Sequence, residues 1–200
     1  MLPIVRKSRL HNILKPCRGG EIESNAVTGQ IARLILVLGG ARSGKSRYAE
    51  SMTTSFSPPW FYVATAEPLD SEMAARIADH RARRGGDWRS IEAPHDLAGA
   101  LTSIPAGAVV LVDCLTLWLS NRMHANAELE AEFARLEGAL ARAAPTVLVS
   151  NEVGSGIVPD NAEARRFRDL QGRLNQRIAA RADRVVLLVA GLPMVVKGQP

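Results

Sequence analysis

Residues 34–50 constrain this chain more than any other stretch. Leu34-Ile35-Leu36-Val37-Leu38 is too short for an independent helix and reads as a strand buried on both faces. Directly behind it, Gly39-Gly40-Ala41-Arg42-Ser43-Gly44-Lys45-Ser46 fits G-x-x-x-x-G-K-[ST], and Arg47-Tyr48-Ala49-Glu50 carry on as a helix. The glycines let the backbone turn inward, so that successive N–H groups and a helix N-terminus face one anionic phosphate chain. Lys45 adds a point charge for the outer phosphates, and the Ser46 hydroxyl can ligate Mg²⁺. A glycine-rich turn between strand and helix also occurs for packing alone. The full motif in this context reads instead as a nucleoside triphosphate site.

From Ile31 onward, apolar runs alternate with helical patterns, which predicts an α/β fold with a mostly parallel sheet and helices on both faces. Further strands are expected at 60–64, 108–113, 146–150 and 185–189, with 194–197 returning as a short edge strand. Helices are expected at 46–53, at 72–84 capped by Asp70 or Ser71, and at 96–103, 128–143 and 162–181. A chain of 200 residues suits one such domain, here 31–200. Residues 1–30 lack periodicity and read as a basic, poorly ordered extension outside the fold.

The net charge of +5 raises nucleic acid as a partner. Part of the excess is Arg6, Lys7, Arg9, Lys15 and Arg18, all ahead of the first acidic residue, Glu21. Much of the rest is arginine beside Glu and Asp on helices, as a solvated face would have it. Aromatics are too few and too little interleaved with the basic residues for stacking platforms, so no nucleic acid is expected. No apolar run is long enough to span a membrane, and no apolar core of a secretory signal follows the basic start. Cys17 and Cys114 lack metal-ligand spacing and fit a reducing cytoplasm.

Open sheets of this kind bind ligands at the carboxyl ends of their strands. Four stretches fall there: the phosphate loop, Ala64-Thr65-Ala66-Glu67, Asp113-Cys114, and Asn151-Glu152-Val153-Gly154. Asp113 ends an apolar strand as a Walker B carboxylate holding Mg²⁺ does, and because a phosphate loop needs such a partner this reading is preferred to its capping the next helix. For Glu152 two readings stand open: orienting a nucleophile or a metal-bound water, or satisfying backbone N–H groups of its own loop. His80 shares a helix face with Met73 and Ile77, which by itself marks a core or edge residue. Its place near a helix C-terminus also favours the protonated, non-nucleophilic form. The four histidines show no zinc spacing.

Gly39 to Arg47 and Asn151-Glu152-Val153-Gly154-x-Gly156-Ile157-Val158-Pro159 together resemble one family. So do Phe167-Arg168-Asp169, Gly172-Arg173-Leu174-Asn175-Gln176 and Ala190-Gly191-Leu192-Pro193. It is the bifunctional adenosylcobinamide kinase/adenosylcobinamide-phosphate guanylyltransferase family of cobalamin biosynthesis. The resemblance covers about Ile31 to Lys197, and the long basic extension departs from it.

This resemblance implies a RecA-like P-loop fold, a homotrimer, and two reactions. ATP or GTP phosphorylates the aminopropanol hydroxyl of adenosylcobinamide. GTP then gives GMP to that phosphate, releasing pyrophosphate and forming adenosylcobinamide-GDP. It further implies that GMP passes through a histidine, which the pattern Arg76-Ile77-x-x-His80 matches. Besides the phosphate loop, the implied nucleotide contacts are Ala64, Thr65, Ala66, Arg81, Ala82, Arg83, Arg84, Glu92 and Asp113. Ser46 and Asp113 are the implied Mg²⁺ ligands and Lys45 and His80 the catalytic pair. Two alternatives stay open on the residues alone: another small P-loop kinase or NTPase, and a RecA-type nucleotide switch that binds nucleic acid.

Overall fold

Alternation inside the first apolar run decides the architecture. In strand β1 (Leu34–Gly39), Leu34 and Leu36 join one buried cluster, while Ile35 and Val37 join another. A strand that is apolar on both faces needs cover on both, and parallel neighbours supply crossover helices that give it. The computed structural model describes residues 32–199 except 69 and 83. The expected extension at 1–30 lies outside them.

After β1 come α1 (Lys45–Thr54), β2 (Trp60–Ala64), α2 (Ser71–Ala82), β3 (Trp88–Glu92) and α3 (Leu97–Ser103). Then follow β4 (Val109–Asp113), α4 (Leu115–His124), α5 (Leu129–Ala139), β5 (Thr146–Asn151), α6 (Ala162–Arg181), β6 (Arg184–Val189) and β7 (Leu192–Lys197). Among the described residues they form one seven-stranded sheet, in the order β3-β2-β4-β5-β1-β6-β7. Every pairing is parallel except β6 with β7. The expected architecture, a mostly parallel α/β sheet with an edge strand at its C-terminal end, is the one observed.

Helices α3, α4, α5 and α6 cover one face through Leu101, Trp118, Phe133, Leu136 and Ile178, all nearly or fully buried. Helix α1 covers part of the other through Ala49 and Met52. Capping follows the sequence. The Asp70 carboxylate accepts from Met73 N–H at 2.7 Å, Asp96 from Gly99 N–H at 3.1 Å, and Asn161 from Glu163 N–H at 2.7 Å.

Two expectations need correction. Strand β3 was not expected, because as an edge strand it half-buries only Trp88 and Ile91 and leaves Arg89, Ser90 and Glu92 outward. Trp88 is held by its rings' contacts with Trp60 and Tyr62, at centroid distances of 5.4 and 6.3 Å. Helix α5 stops at Ala139 rather than Ala143. Beyond it the Arg142 guanidinium turns to the end of α3, donating to the carbonyls of Leu101 (2.5 Å), Ile104 (3.2 Å), Pro105 (2.7 Å) and Ala108 (3.3 Å). Those carbonyls have no helical partner of their own, so one side chain joins the two helix ends.

Arg142→Leu keeps the bulk of the side chain and removes the guanidinium from the Leu101, Ile104 and Ala108 carbonyls, while Pro105 O keeps its bond from Ala108 N–H. Urea denaturation should show a loss of about 1–3 kcal/mol, the cost of leaving part-buried polar groups without partners. An unchanged midpoint would mean that water replaces the guanidinium without penalty.

Candidate active site

The phosphate loop owes its shape to a few backbone requirements. Gly44, the residue ahead of α1, sits in the left-handed region at φ 91°, which a side chain would strain. Gly39 has a different reason: a Cβ there would lie 2.4 Å from the Ser43 hydroxyl. Ser43 N–H donates to Gly40 O at 3.3 Å and Tyr48 N–H to Gly44 O at 3.0 Å, closing the turn into the first helical bond. Lys45 reaches back over the loop, its Nζ 3.1 Å from Gly40 O. From the far side, Gly191 in the β6–β7 turn donates its N–H to Ser43 O at 3.0 Å. The loop is thus gripped between its own helix and a hairpin almost 150 residues away.

The next strand ends are tied to one another. Thr65 Oγ1 donates to Cys114 O at 2.7 Å and accepts from Cys114 N–H at 2.8 Å. Asn121 Nδ2 donates to Thr65 O at 2.9 Å and Pro94 O at 3.1 Å, bringing α4 against both loops. Asp113 stands just ahead of this lock. The N-cap position of α4 belongs to Cys114, whose side chain makes no capping bond, and Asp113 accepts from the Tyr62 hydroxyl at 3.4 Å. Burial, and then the neighbouring Asp113 carboxylate, push the Cys114 thiol up to about 11, which keeps it an un-ionised packing group. Glu152 accepts from Gly154 N–H at 2.7 Å within its own loop, the plainer of its two readings.

A cleft of about 1100 Å³ opens over these strand ends. Of the expected residues it is lined by Ala41 to Arg47, Ala64, Ala66, Arg81, Arg84, Glu92 and Asp113. Gly39 and Thr65 serve beneath it as described, and Arg83 lies outside the described residues. Helix α2 forms the opposite wall through Met73 and Ile77, and His80 follows them by seven and three positions along the same helix. The C-terminal end of α2 is fastened twice. Arg81 pairs with Glu92 on β3, and the Arg84 guanidinium lies 3.6 Å over the Tyr62 ring. Two buried nitrogens of Arg84, Nε and Nη1, have no hydrogen-bond partner.

The cleft also holds residues with no site role of their own legible in the sequence: Tyr62, Ser90, Leu117, Asn151 and Gly191. Asn151 opens a stretch already expected at this ligand edge, while nothing in the segment around Gly191 ties it to the phosphate loop. Tyr62 lies on a strand whose pattern signals only burial.

A family model described as "CobU: Cobinamide kinase / cobinamide phosphate guanyltransferase" matches residues 35–196. The chain is similar to the bifunctional adenosylcobalamin biosynthesis protein CobP of Pseudomonas aeruginosa, 48% identical over 82% of this chain and 98% of that one. It is also similar to the bifunctional adenosylcobalamin biosynthesis protein CobU of Salmonella typhimurium, 41% identical over 82% of this chain and 99% of that one. Among solved structures it is similar to the RadB recombinase, with a TM-score of 0.44 and 18% identity over 78% of this chain and 73% of that one.

The Tyr62 phenol is held far above its ordinary range, first by burial and then by the Asp113 carboxylate. The folded protein should therefore show no phenolate absorbance from Tyr62 at pH about 10 to 11, where a free tyrosine ionises. Titrating wild type against Tyr62→Phe at 295 nm checks this, and equal curves are expected. In the unfolded chain this phenol ionises near pH 10, so its contribution to stability is complete below that pH and is lost as pH rises beyond it.

Proposed function

We propose how one cleft runs two reactions, from the premise that this chain belongs to the cobinamide kinase / cobinamide phosphate guanyltransferase family. It is accordingly an enzyme of adenosylcobalamin biosynthesis. It phosphorylates adenosylcobinamide, then transfers GMP from GTP to give adenosylcobinamide-GDP and pyrophosphate. The observation that carries the assignment of residues is that the phosphate loop, Asp113 and helix α2 wall a single cleft.

In the kinase step, the loop N–H groups and Lys45 hold the outer phosphates of ATP or GTP. The acceptor oxygen closes on the γ-phosphorus as the bond to its bridging oxygen breaks. Mg²⁺ fits Ser46 and Asp113, a hydroxyl and a carboxylate on the same cleft wall. Such an ion would need only one or two protein ligands, which suits a site where no cluster of three His, Cys, Asp or Glu able to hold a metal occurs among the described residues. Bound there, it would neutralise charge on the phosphates.

In the guanylyl step, the imidazole of His80 attacks the α-phosphorus and pyrophosphate leaves. GMP then passes from the imidazole to the phosphate of adenosylcobinamide-phosphate. Its place on α2, the helix whose Met73 and Ile77 line the cleft, supports this role. Arg84 suits a nucleotide phosphate, because its unpartnered N–H groups are buried beside the cleft and a phosphate oxygen would satisfy them. Arg81 and Glu92 complete the polar part of that wall. We take the assembly to be the homotrimer that the family resemblance implies. Leu192, Met194 and Val196, alternate residues of edge strand β7 that are 72%, 52% and 61% exposed, support association with another subunit. No helix among the described residues is long and apolar enough to cross a membrane. We place the enzyme in the cytoplasm, a reducing compartment that suits the free, buried Cys114.

Lys45→Ala should lower adenosylcobinamide phosphorylation by on the order of 100-fold or more while leaving the melting temperature within a few degrees, as a cleft-facing charge is removed. Near-normal phosphorylation would refute its role. With α-labelled GTP and Mg²⁺ the wild-type protein should acquire acid-labile, base-stable label, and γ-labelled GTP should leave none. His80→Ala should lose the label and guanylyl transfer yet keep the kinase. Undiminished labelling of folded His80→Ala would move the nucleophile elsewhere.

A further inference from the structure

Asn151 ends β5 at the floor of the cleft, and its backbone is held from two sides. Its N–H donates to Thr116 Oγ1 at 2.8 Å, and its carbonyl accepts from Asn175 Nδ2 at 3.0 Å. Asn175 is fixed in turn. Its Oδ1 accepts from the Ser150 hydroxyl at 2.7 Å and from Gln171 Nε2 at 3.0 Å, and Gln171 Nε2 also reaches Ser150 Oγ at 2.9 Å. Ser150, Gln171 and Asn175 are all buried. This buried polar lattice runs from α6 to the end of β5 and sets the backbone of Asn151 without using its side chain.

The carboxamide itself makes no hydrogen bond with the described residues, and its Oδ1 is buried without a partner. Such a group is unfavourable in a folded protein unless something that enters satisfies it. Its position says what enters. Asn151 is the register partner of Gly39, where the phosphate loop begins, and it lines the cleft with Lys45, Ser46 and Asp113. Lys45 Nζ lies against Gly40 O, so the outer phosphates that it attracts come to the strand end beside Asn151. Two kinds of partner meet at that point, phosphoryl oxygens that accept hydrogen bonds and an attacking hydroxyl that donates one. A carboxamide offers one end to each, and the two ends are alike in shape, so a half-turn about Cβ–Cγ presents either.

We infer that the Asn151 carboxamide is a catalytic residue of the kinase step, bridging the terminal phosphoryl group of the bound nucleotide and the hydroxyl that attacks it. The bond formed joins the alcohol oxygen to the γ-phosphorus; the bond broken joins that phosphorus to the β–γ bridging oxygen, which leaves with its electron pair on the diphosphate. The alcohol's proton departs through the transferred phosphoryl oxygens, because a carboxamide takes none at neutral pH. The guanylyl step, at the α-phosphorus, does not use Asn151. This rests on the phosphate-loop assignment above.

The test uses the full chain with Asn151→Ala and Asn151→Leu. Neither removes a hydrogen bond from the fold, so melting temperatures should equal or exceed that of the wild type. Turnover of adenosylcobinamide at saturating nucleotide should fall on the order of 100-fold, the effect of deleting one hydrogen-bonding group aimed at a transition state. Protein labelling from α-labelled GTP, and GMP transfer to supplied adenosylcobinamide-phosphate, should stay within about threefold of wild type, a margin small beside that loss. Kinase turnover likewise within threefold overturns the inference. So does a parallel loss of both activities, with or without a lower melting temperature. Lys45→Ala run alongside separates the cases: if it spares the kinase, the phosphate-loop assignment has failed, and if only the Asn151 variants spare it, this inference alone has failed.

Discussion

Parallel pairing on both sides of β1 is the constraint from which the rest of the structure follows. A strand hydrogen-bonded in parallel to β5 and to β6 cannot be linked to either by a hairpin, so the chain must cross back over the sheet each time. Those crossings are the helices that bury the two apolar clusters. They also deliver the carboxyl ends of β1, β2, β4 and β5 to one edge, where Gly39 pairs with Asn151 and Ala64 with Asp113. The first pair stands two residues further out than the second, because Asp113 lies opposite Val149. Polar chemistry gathers at that edge because the strand interiors have no room for it.

An edge made of loops needs internal fastening, and here it comes from short buried polar side chains. Thr65 ties the end of β2 to that of β4, Asn121 ties α4 to the segments that follow β2 and β3, and the Ser150–Gln171–Asn175 group ties α6 to β5. Each replaces a backbone ladder where the ladder has ended. Family membership gives these fastenings their purpose. A kinase step and a guanylyl step attack phosphorus atoms only a few bonds apart, so one nucleotide site can serve both if its floor is rigid and its opposite wall, α2, carries different groups.

Much of this was legible in the sequence, and the exceptions have physical reasons. The phosphate loop could be read because its requirements are local: Gly44 for a left-handed backbone, Lys45 and Ser46 for charge and hydroxyl. Helix α6 could be read to the residue because Asn161 caps it and its apolar spacing is regular. Strand β3 could not, since an edge strand with outward Arg89 and Glu92 carries no run of apolar residues. The end of α5 was hidden because what stops it is Arg142 reaching another helix, a contact between segments far apart in the chain. Tyr62 and Gly191 belong to the cleft for the same kind of reason: only the sheet order brings them to the phosphate loop, whereas the stretch opened by Asn151 was legible as a strand end and only its neighbours were not. The pairing of Asp113 with a tyrosine hydroxyl likewise has no counterpart in any local spacing.

The placement of β1 has a consequence for how the protein comes into being on the ribosome. Its Ile35 faces Val147 on one side and Arg184 on the other, so the strand is made early and its neighbours late. At roughly 5–20 residues per second, an interval on the order of ten seconds separates β1 from β6 during synthesis. Until β5 is made the apolar β1 has neither of its two partners, and until β6 is made it has only one, so the phosphate loop behind it lacks its full frame. The frame of the phosphate loop is completed only when the two strands beside β1 have followed it out of the ribosome.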